Sequence, residues 1–251
     1  MTEQFCQTFW VWQRGMLSSV MAKPFLTAAW RDLVMLNWRV EESLLTPYLP
    51  SGVEVDRWEG DCWASLVGFS FLDMSVKGVP AFGYQDFPEI NLRFYVKREM
   101  QGEVRRGVVF VQEMTPHQLV GWVARTLYNE PYATLPMRQK VNEEGAIYEL
   151  RLGEEWQGIG LKTNGPWRDQ NEMELFITEH YWGYNTQKNT DSMEYQVEHA
   201  IWRTRSVDLA RYDLNLKEIY GSQWEEALAG EPDTMVFAEG SEITVYSGNR
   251  I

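Results

Sequence analysis

Residues 87–96, FPEINLRFYV, carry four polar side chains at alternate positions: Glu89, Asn91, Arg93 and Tyr95. In an extended strand alternate side chains share a face. These four would form one row, and Pro88, Ile90, Leu92, Phe94 and Val96 the opposite, apolar one. Neighbours within a row stand about 6.5–7 Å apart, which puts Glu89 and Tyr95 within reach of Arg93. The guanidinium fork suits a carboxylate. Beside a cation Glu89 stays ionised; in a dry pocket it moves toward neutrality and can serve as acid or base. The pattern alone leaves two settings open, bulk solvent with a weak surface ion pair or the inside of a binding pocket.

Two further segments concentrate reactive types. TEHYWGYN at 178–185 crowds Glu179, His180, Tyr181, Trp182 and Tyr184 together. It reads either as a pocket wall, with His180 and Tyr181 as ligand contacts, or as an element end that packs its rings on the core. In VEHAIW at 197–202, Glu198 and His199 are adjacent and would face opposite ways on a strand. That spacing argues against a Glu–His dyad.

Other chemistries lack their signatures. There is no GxGxxG, Walker A or GxSxG pattern. His117, His180 and His199 form neither HxH nor HExxH, so no metal is expected, and no cofactor is. Cys6 and Cys62 match no metal or redox spacing, and Cys62 reads as a small core residue.

These groups need a scaffold, and the composition bounds it. The chain has 251 residues, 44% hydrophobic and 24% charged, enough for one β-rich domain. Residues 1–24 read as an appended arm or helix, and residues 25–251 as a single domain. Twenty-three basic against 36 acidic residues give a net charge of −13. A field of that sign repels phosphate backbones, so no nucleic acid partner is expected. No apolar run is long enough to span a membrane, and the N-terminus lacks a basic region ahead of an apolar core. A cytoplasmic location and no membrane partner are the expectation. Twelve Trp, 12 Tyr and 11 Phe would either fill a large core or line a ligand cavity.

Strand signals dominate. They fall at 33–40, 61–72, 87–96, 107–114, 147–152, 158–163, 193–202, 234–238 and 242–247, the last two joined by a hairpin turn at Glu239-Gly240-Ser241. Thr115-Pro116-His117-Gln118 reads as a helix start, with Leu119, Trp122, Val123, Thr126 and Leu127 on one face. Further helices are expected over 170–179 and 214–220. The predicted class is α+β, a mostly antiparallel closed β-barrel or cone with a few inserted helices.

The order WRDLVMLNWRV, LPSGVEVDRWEGDCWASLVGFSF, PEINLRFYV, RGVVFVQEM, LYNEPY, EHYWGY and YQVEHAIW resembles the YqjF-like family of uncharacterised bacterial proteins, across roughly residues 25–247. That family is distantly similar to acetoacetate decarboxylase. The resemblance implies a cone-like antiparallel barrel around an internal cavity, with the polar face of PEINLRFYV turned inward. It also implies for Glu89 a setting similar to a pocket glutamate of the decarboxylases. Those enzymes use an adjacent Lys-Lys pair to form a Schiff base. No such pair occurs here, and Lys140 stands alone in NEPYATLPMRQK, which argues against Schiff-base decarboxylation.

The leading expectation is a protein that holds a small organic ligand, a carboxylate among the candidates, in an aromatic-lined cavity. Glu89, Asn91, Arg93, Tyr95, His180 and Tyr181 are its ligand-binding residues. One rival is a non-Schiff-base lyase or hydrolase with Glu89 as general acid or base. Another is a structural or interaction module with a filled barrel. Self-association through edge strands or the Trp10–Trp12 arm is compatible with the sequence but not demanded by it.

Overall fold

Seven strands form the frame in the computed structural model, which describes residues 23–121, 129–187 and 191–251. They are β1 (Pro24–Val40), β2 (Asp61–Val76), β3 (Phe87–Met100), β4 (Glu103–Thr115), β5 (Trp182–Thr186), β6 (Ser192–His199) and β7 (Thr234–Tyr246). Each pairs with the next in that order, and β7 returns to pair with β1, so the ladder closes into a ring. All these pairings are antiparallel except β4–β5, which is parallel. Closure leaves the ring strands no long free edge. The β3–β4 hairpin turns at Gln101 and Gly102, both at positive φ, the geometry that fits the twist of a two-residue hairpin.

A second, antiparallel sheet of Met137–Asn142, Gly145–Leu152, Glu155–Thr163 and Val207–Tyr212 lies against the ring. Its Tyr148, Leu150, Ile159 and Leu161 pack in one cluster with Ile90, Leu92, Phe94 and Val96 of β3. Burying each of those four β3 side chains contributes about 1.5–3 kcal/mol. Outward apolar residues therefore face the second sheet rather than water. β3 is buried on both faces, from Phe87 to Val96 without a break.

The inward cluster holds Met35, Trp63, Val67, Phe69, Phe71, Phe87 and Tyr95 from the ring, joined by Phe176 and Ile177 of the helix Glu172–Thr178. That helix starts in a capping box. Asn171 accepts from the Glu174 backbone, and the Glu174 side chain accepts from the Asn171 backbone. No helix among the described residues is long and apolar enough to cross a membrane.

The α+β class, dominated by antiparallel strands, agrees with the sequence reading. One element differs. Residues 234–246 are a single strand, not two joined by a hairpin. Gly240 sits at φ +76°, and a Cβ there would lie 1.9 Å from the Trp30 carbonyl. The glycine marks a bend where backbones crowd, which a sequence pattern cannot separate from a turn. The helix expected from Thr115-Pro116-His117-Gln118 opens at residue 118. Most of its predicted apolar face (Trp122, Val123, Thr126, Leu127) lies outside the described residues, as do residues 1–22 of the arm expected over 1–24, whose last residue, Pro24, already belongs to β1.

Candidate functional site

The polar row of β3 faces the inside of the ring. Phe69 pairs with Glu89, Val67 with Asn91 and Ser65 with Arg93 on the β2 side. On the β4 side Asn91 pairs with Glu113 and Arg93 with Phe110. The interior holds a cavity of about 250 Å³. Its apolar walls include Trp30, Phe69, Phe71, Phe87 and Trp202, and its polar lining includes Glu89, Asn91, Arg93, Glu113, Glu130, Tyr132 and His180. A filled barrel does not describe this interior.

Arg93 is 9% exposed and forms no ion pair among the described residues. Its Nη2 donates to the Ile177 carbonyl at 3.3 Å, its guanidinium lies 5.7 Å from the Tyr95 ring centre, and its Nε is buried with no acceptor. The expected ion pair with Glu89 is not made: the two residues stand two same-face steps apart on β3, about 13–14 Å, and that carboxylate is engaged by other partners. Asn91 Nδ2 donates to Glu89 Oε1 at 3.1 Å and the Tyr132 hydroxyl to Oε2 at 2.9 Å. Burial pushes Glu89 up to about 7 against those hydrogen bonds, with the Glu130 charge adding to the rise.

Two glutamates absent from the sequence reading complete the polar end. Glu113 is 4% exposed, and burial, with Glu130 and Glu89 nearby, holds its carboxyl well above the usual range. Glu130 accepts from Asn185 Nδ2 at 2.9 Å and the Tyr195 hydroxyl at 2.8 Å. Burial pushes it up to about 7. A strict alternation would send Glu113 outward with Val109 and Val111. The register shifts between Leu92/Gln112 and Arg93/Phe110, and that one-residue bulge at Val111 turns both Phe110 and Glu113 inward.

His180 follows the helix Glu172–Thr178 and is fully buried beside Tyr95 and Phe176. Burial pushes it down to about 4, so the ring is neutral near pH 7. Burial alone would raise Asp56, but hydrogen bonds from His180 and Arg106 outweigh it and keep that carboxylate low. An ionised Asp56 can only accept, so His180 Nε2, 3.1 Å away, carries the proton. The free lone pair then sits on Nδ1, which is buried without a partner.

Four of the six expected residues, Glu89, Asn91, Arg93 and His180, line the cavity. Tyr95 does not line it. Its hydroxyl is 2.6 Å from Ser65 Oγ, which in turn donates to Asn37 Oδ1, a chain of bonds that ties the strands together. Tyr181 also lies off the cavity; its hydroxyl bonds Glu179, and its ring lies tilted against His199 with ring centres 4.7 Å apart. His199 itself lines the cavity. No lysine among the described residues lines it, and no group of three or more His, Cys, Asp or Glu among them is disposed to hold a metal ion.

A closed ring of strands backed by a small second sheet, around a cavity with an acidic end, defines an acetoacetate decarboxylase-like fold. The chain resembles acetoacetate decarboxylase from Legionella pneumophila with a TM-score of 0.64 at 11% identity, over 100% of this chain and 98% of that one. The enduracididine biosynthesis enzyme MppR, complexed with pyruvate, matches with a TM-score of 0.58 at 15% identity, over 95% and 93% of the two chains. At such identities the likeness establishes the fold alone. The chain belongs to the DUF2071 family, described as an uncharacterized conserved protein, whose profile matches residues 27–242. It is also 25% identical over 185 residues to the uncharacterized protein YqjF of Bacillus subtilis (strain 168), covering 71% of this chain and 74% of that protein.

Proposed function

We propose that this protein binds a small organic acid inside the ring, with the ligand carboxylate on Arg93 and the apolar body against the aromatic wall. The observation that carries this reading is Arg93, a guanidinium buried in a cavity wall without a carboxylate partner among the described residues. A buried charge is costly unless paired, and a planar fork selects a carboxylate or a group of the same shape. The crystallised MppR complex supports the class of ligand, since pyruvate is a small 2-oxo carboxylate held by a protein of this fold.

Thermal unfolding with a panel of small carboxylates and their amides tests the proposal. A ligand that binds only the native state at 100 times its Kd stabilises it by about 2.7 kcal/mol. Carboxylates should raise Tm in the parent protein, amides should not, and Arg93→Gln should abolish the rise. Equal shifts in both proteins would exclude Arg93 as the anchor.

A second reading has its own support. Glu89 and Glu130 titrate near neutrality beside the cavity, where a carboxyl can both give and take a proton. Acid–base turnover of the bound acid, as in a lyase or hydrolase without a Schiff base, would then use Glu89. Loss of turnover in Glu89→Gln with ligand binding retained would support it; unchanged turnover would exclude it.

A further inference from the structure

The polar lining of the cavity is divided by charge. Arg93 Nε lacks an acceptor and its guanidinium has no carboxylate partner among the described residues, whereas single oxygens toward Glu89 lack donors. Asn91 is 2% exposed and its Oδ1 accepts from nothing; Glu113 Oε2 and Glu130 Oε2 are likewise buried without a donor. Three glutamates meet here without an ion pair to any described cation. Tyr132 and Tyr195 supply hydroxyls to Glu89 and Glu130 but no charge.

We infer that the ligand carries a second polar group, a protonated amine, which Glu113, Glu130 and Asn91 Oδ1 receive while Arg93 holds its carboxylate. The inference rests on the carboxylate reading above and narrows it to a zwitterion. Three acceptors around one end of the cavity match the three N–H donors of an ammonium group. Asn91 and its cross-strand partner Glu113 stand one same-face step from Arg93, about 6.5–7 Å along the strand. That span suits an ω-amino acid, whose few methylenes would lie along the aromatic wall, better than an α-amino acid with both groups on one carbon.

Proton linkage gives the inference a distinctive signature. The charged and titratable groups facing the acidic end are Glu89, Glu113, Glu130, Tyr132 and Tyr195, with Arg93, His180 and His199 beyond. Burial holds Glu113 well above the ordinary range and pushes Glu89 and Glu130 up to about 7. Burial also pushes His180 and His199 down, so neither adds a charge near neutrality. An arriving ammonium favours the ionised carboxylates, so binding must expel protons and tighten as pH rises from 6 to 8.

Isothermal titration of the full chain with 4-aminobutanoate, 5-aminopentanoate and 6-aminohexanoate, each against its des-amino acid, tests this. The expected result is at least tenfold tighter binding of one amino acid than of its des-amino counterpart at pH 8. The advantage should shrink at pH 6, and heats in two buffers of different ionisation enthalpy should show net proton release. Glu113→Gln and Glu130→Gln should reduce the preference at least tenfold; if either fails to fold, the pH series on the parent protein decides. Des-amino acids that bind as tightly as the amino acids at pH 8, through Arg93, would overturn the ammonium site and leave the carboxylate reading standing. If neither series binds, both readings fall.

Discussion

Replacing Glu89 by Gln should remove a loss of stability that the parent protein suffers as pH rises. In the unfolded chain the carboxyl ionises from about 4.5, whereas in the folded chain burial keeps it protonated to about 7. Between those values the folded state holds more protons, so its stability falls as pH rises, and the penalty is complete above about 7. At about 1.4 kcal/mol per pH unit the penalty is about 3 kcal/mol. Glutamine cannot ionise and escapes it. It can accept from either Asn91 or Tyr132 but turns an amide donor toward the other, a loss of about 1 kcal/mol at every pH. About 0.8 kcal/mol of the penalty is already present at pH 5, so the variant should be about as stable as the parent there and about 2 kcal/mol more stable at pH 8. Urea unfolding at both values reads this from the midpoints, provided the m-values agree. A constant difference between the two proteins from pH 5 to pH 8 would refute the buried, proton-holding Glu89.

Other consequences are equally concrete. Gly183→Ala would set a Cβ 2.1 Å from Tyr195 Cζ and push that ring off Glu130; overpacking of this kind costs about 1–3 kcal/mol, readable as a lower urea midpoint. Asn171→Ala removes the cap of the helix that leads into His180 and should cost about 1 kcal/mol, readable in the same way. The His180 ring, pushed down to about 4 by burial, should show the neutral form protonated on Nε2 in nitrogen NMR from pH 8 to pH 6. A charged ring at pH 6 would contradict the neutral state that burial imposes, and a neutral ring protonated on Nδ1 would contradict the pairing with Asp56.

The sequence exposed the frame well because alternation and turn residues are local signals. β3, β4 and a helix over 170–179 were all legible, as were Glu89, Asn91, Arg93 and His180 as candidate site residues. Non-local geometry was hidden. Glu113 follows two outward valines in strict alternation, and only a bulge at Val111 turns it inward. Glu130 precedes a short strand and reaches the cavity through contacts with Asn185 and Tyr195, more than 50 residues away. Tyr95 shares the inward face of β3, yet its hydroxyl is claimed by Ser65 on the neighbouring strand, a partner that spacing cannot reveal. Gly240 misled for the opposite reason, since a local turn signal stood for a crowded backbone within one long strand.

The most direct measurement is a crystal structure of the full chain soaked with pyruvate, a small 2-oxo acid that probes the Arg93 anchor. The expected result is a carboxylate inside the ring, its oxygens about 2.7–2.9 Å from the Arg93 guanidinium nitrogens, with the rest of the molecule toward the aromatic wall. Arg93 paired with a carboxylate of the protein itself, or pyruvate bound only outside the ring, would contradict it.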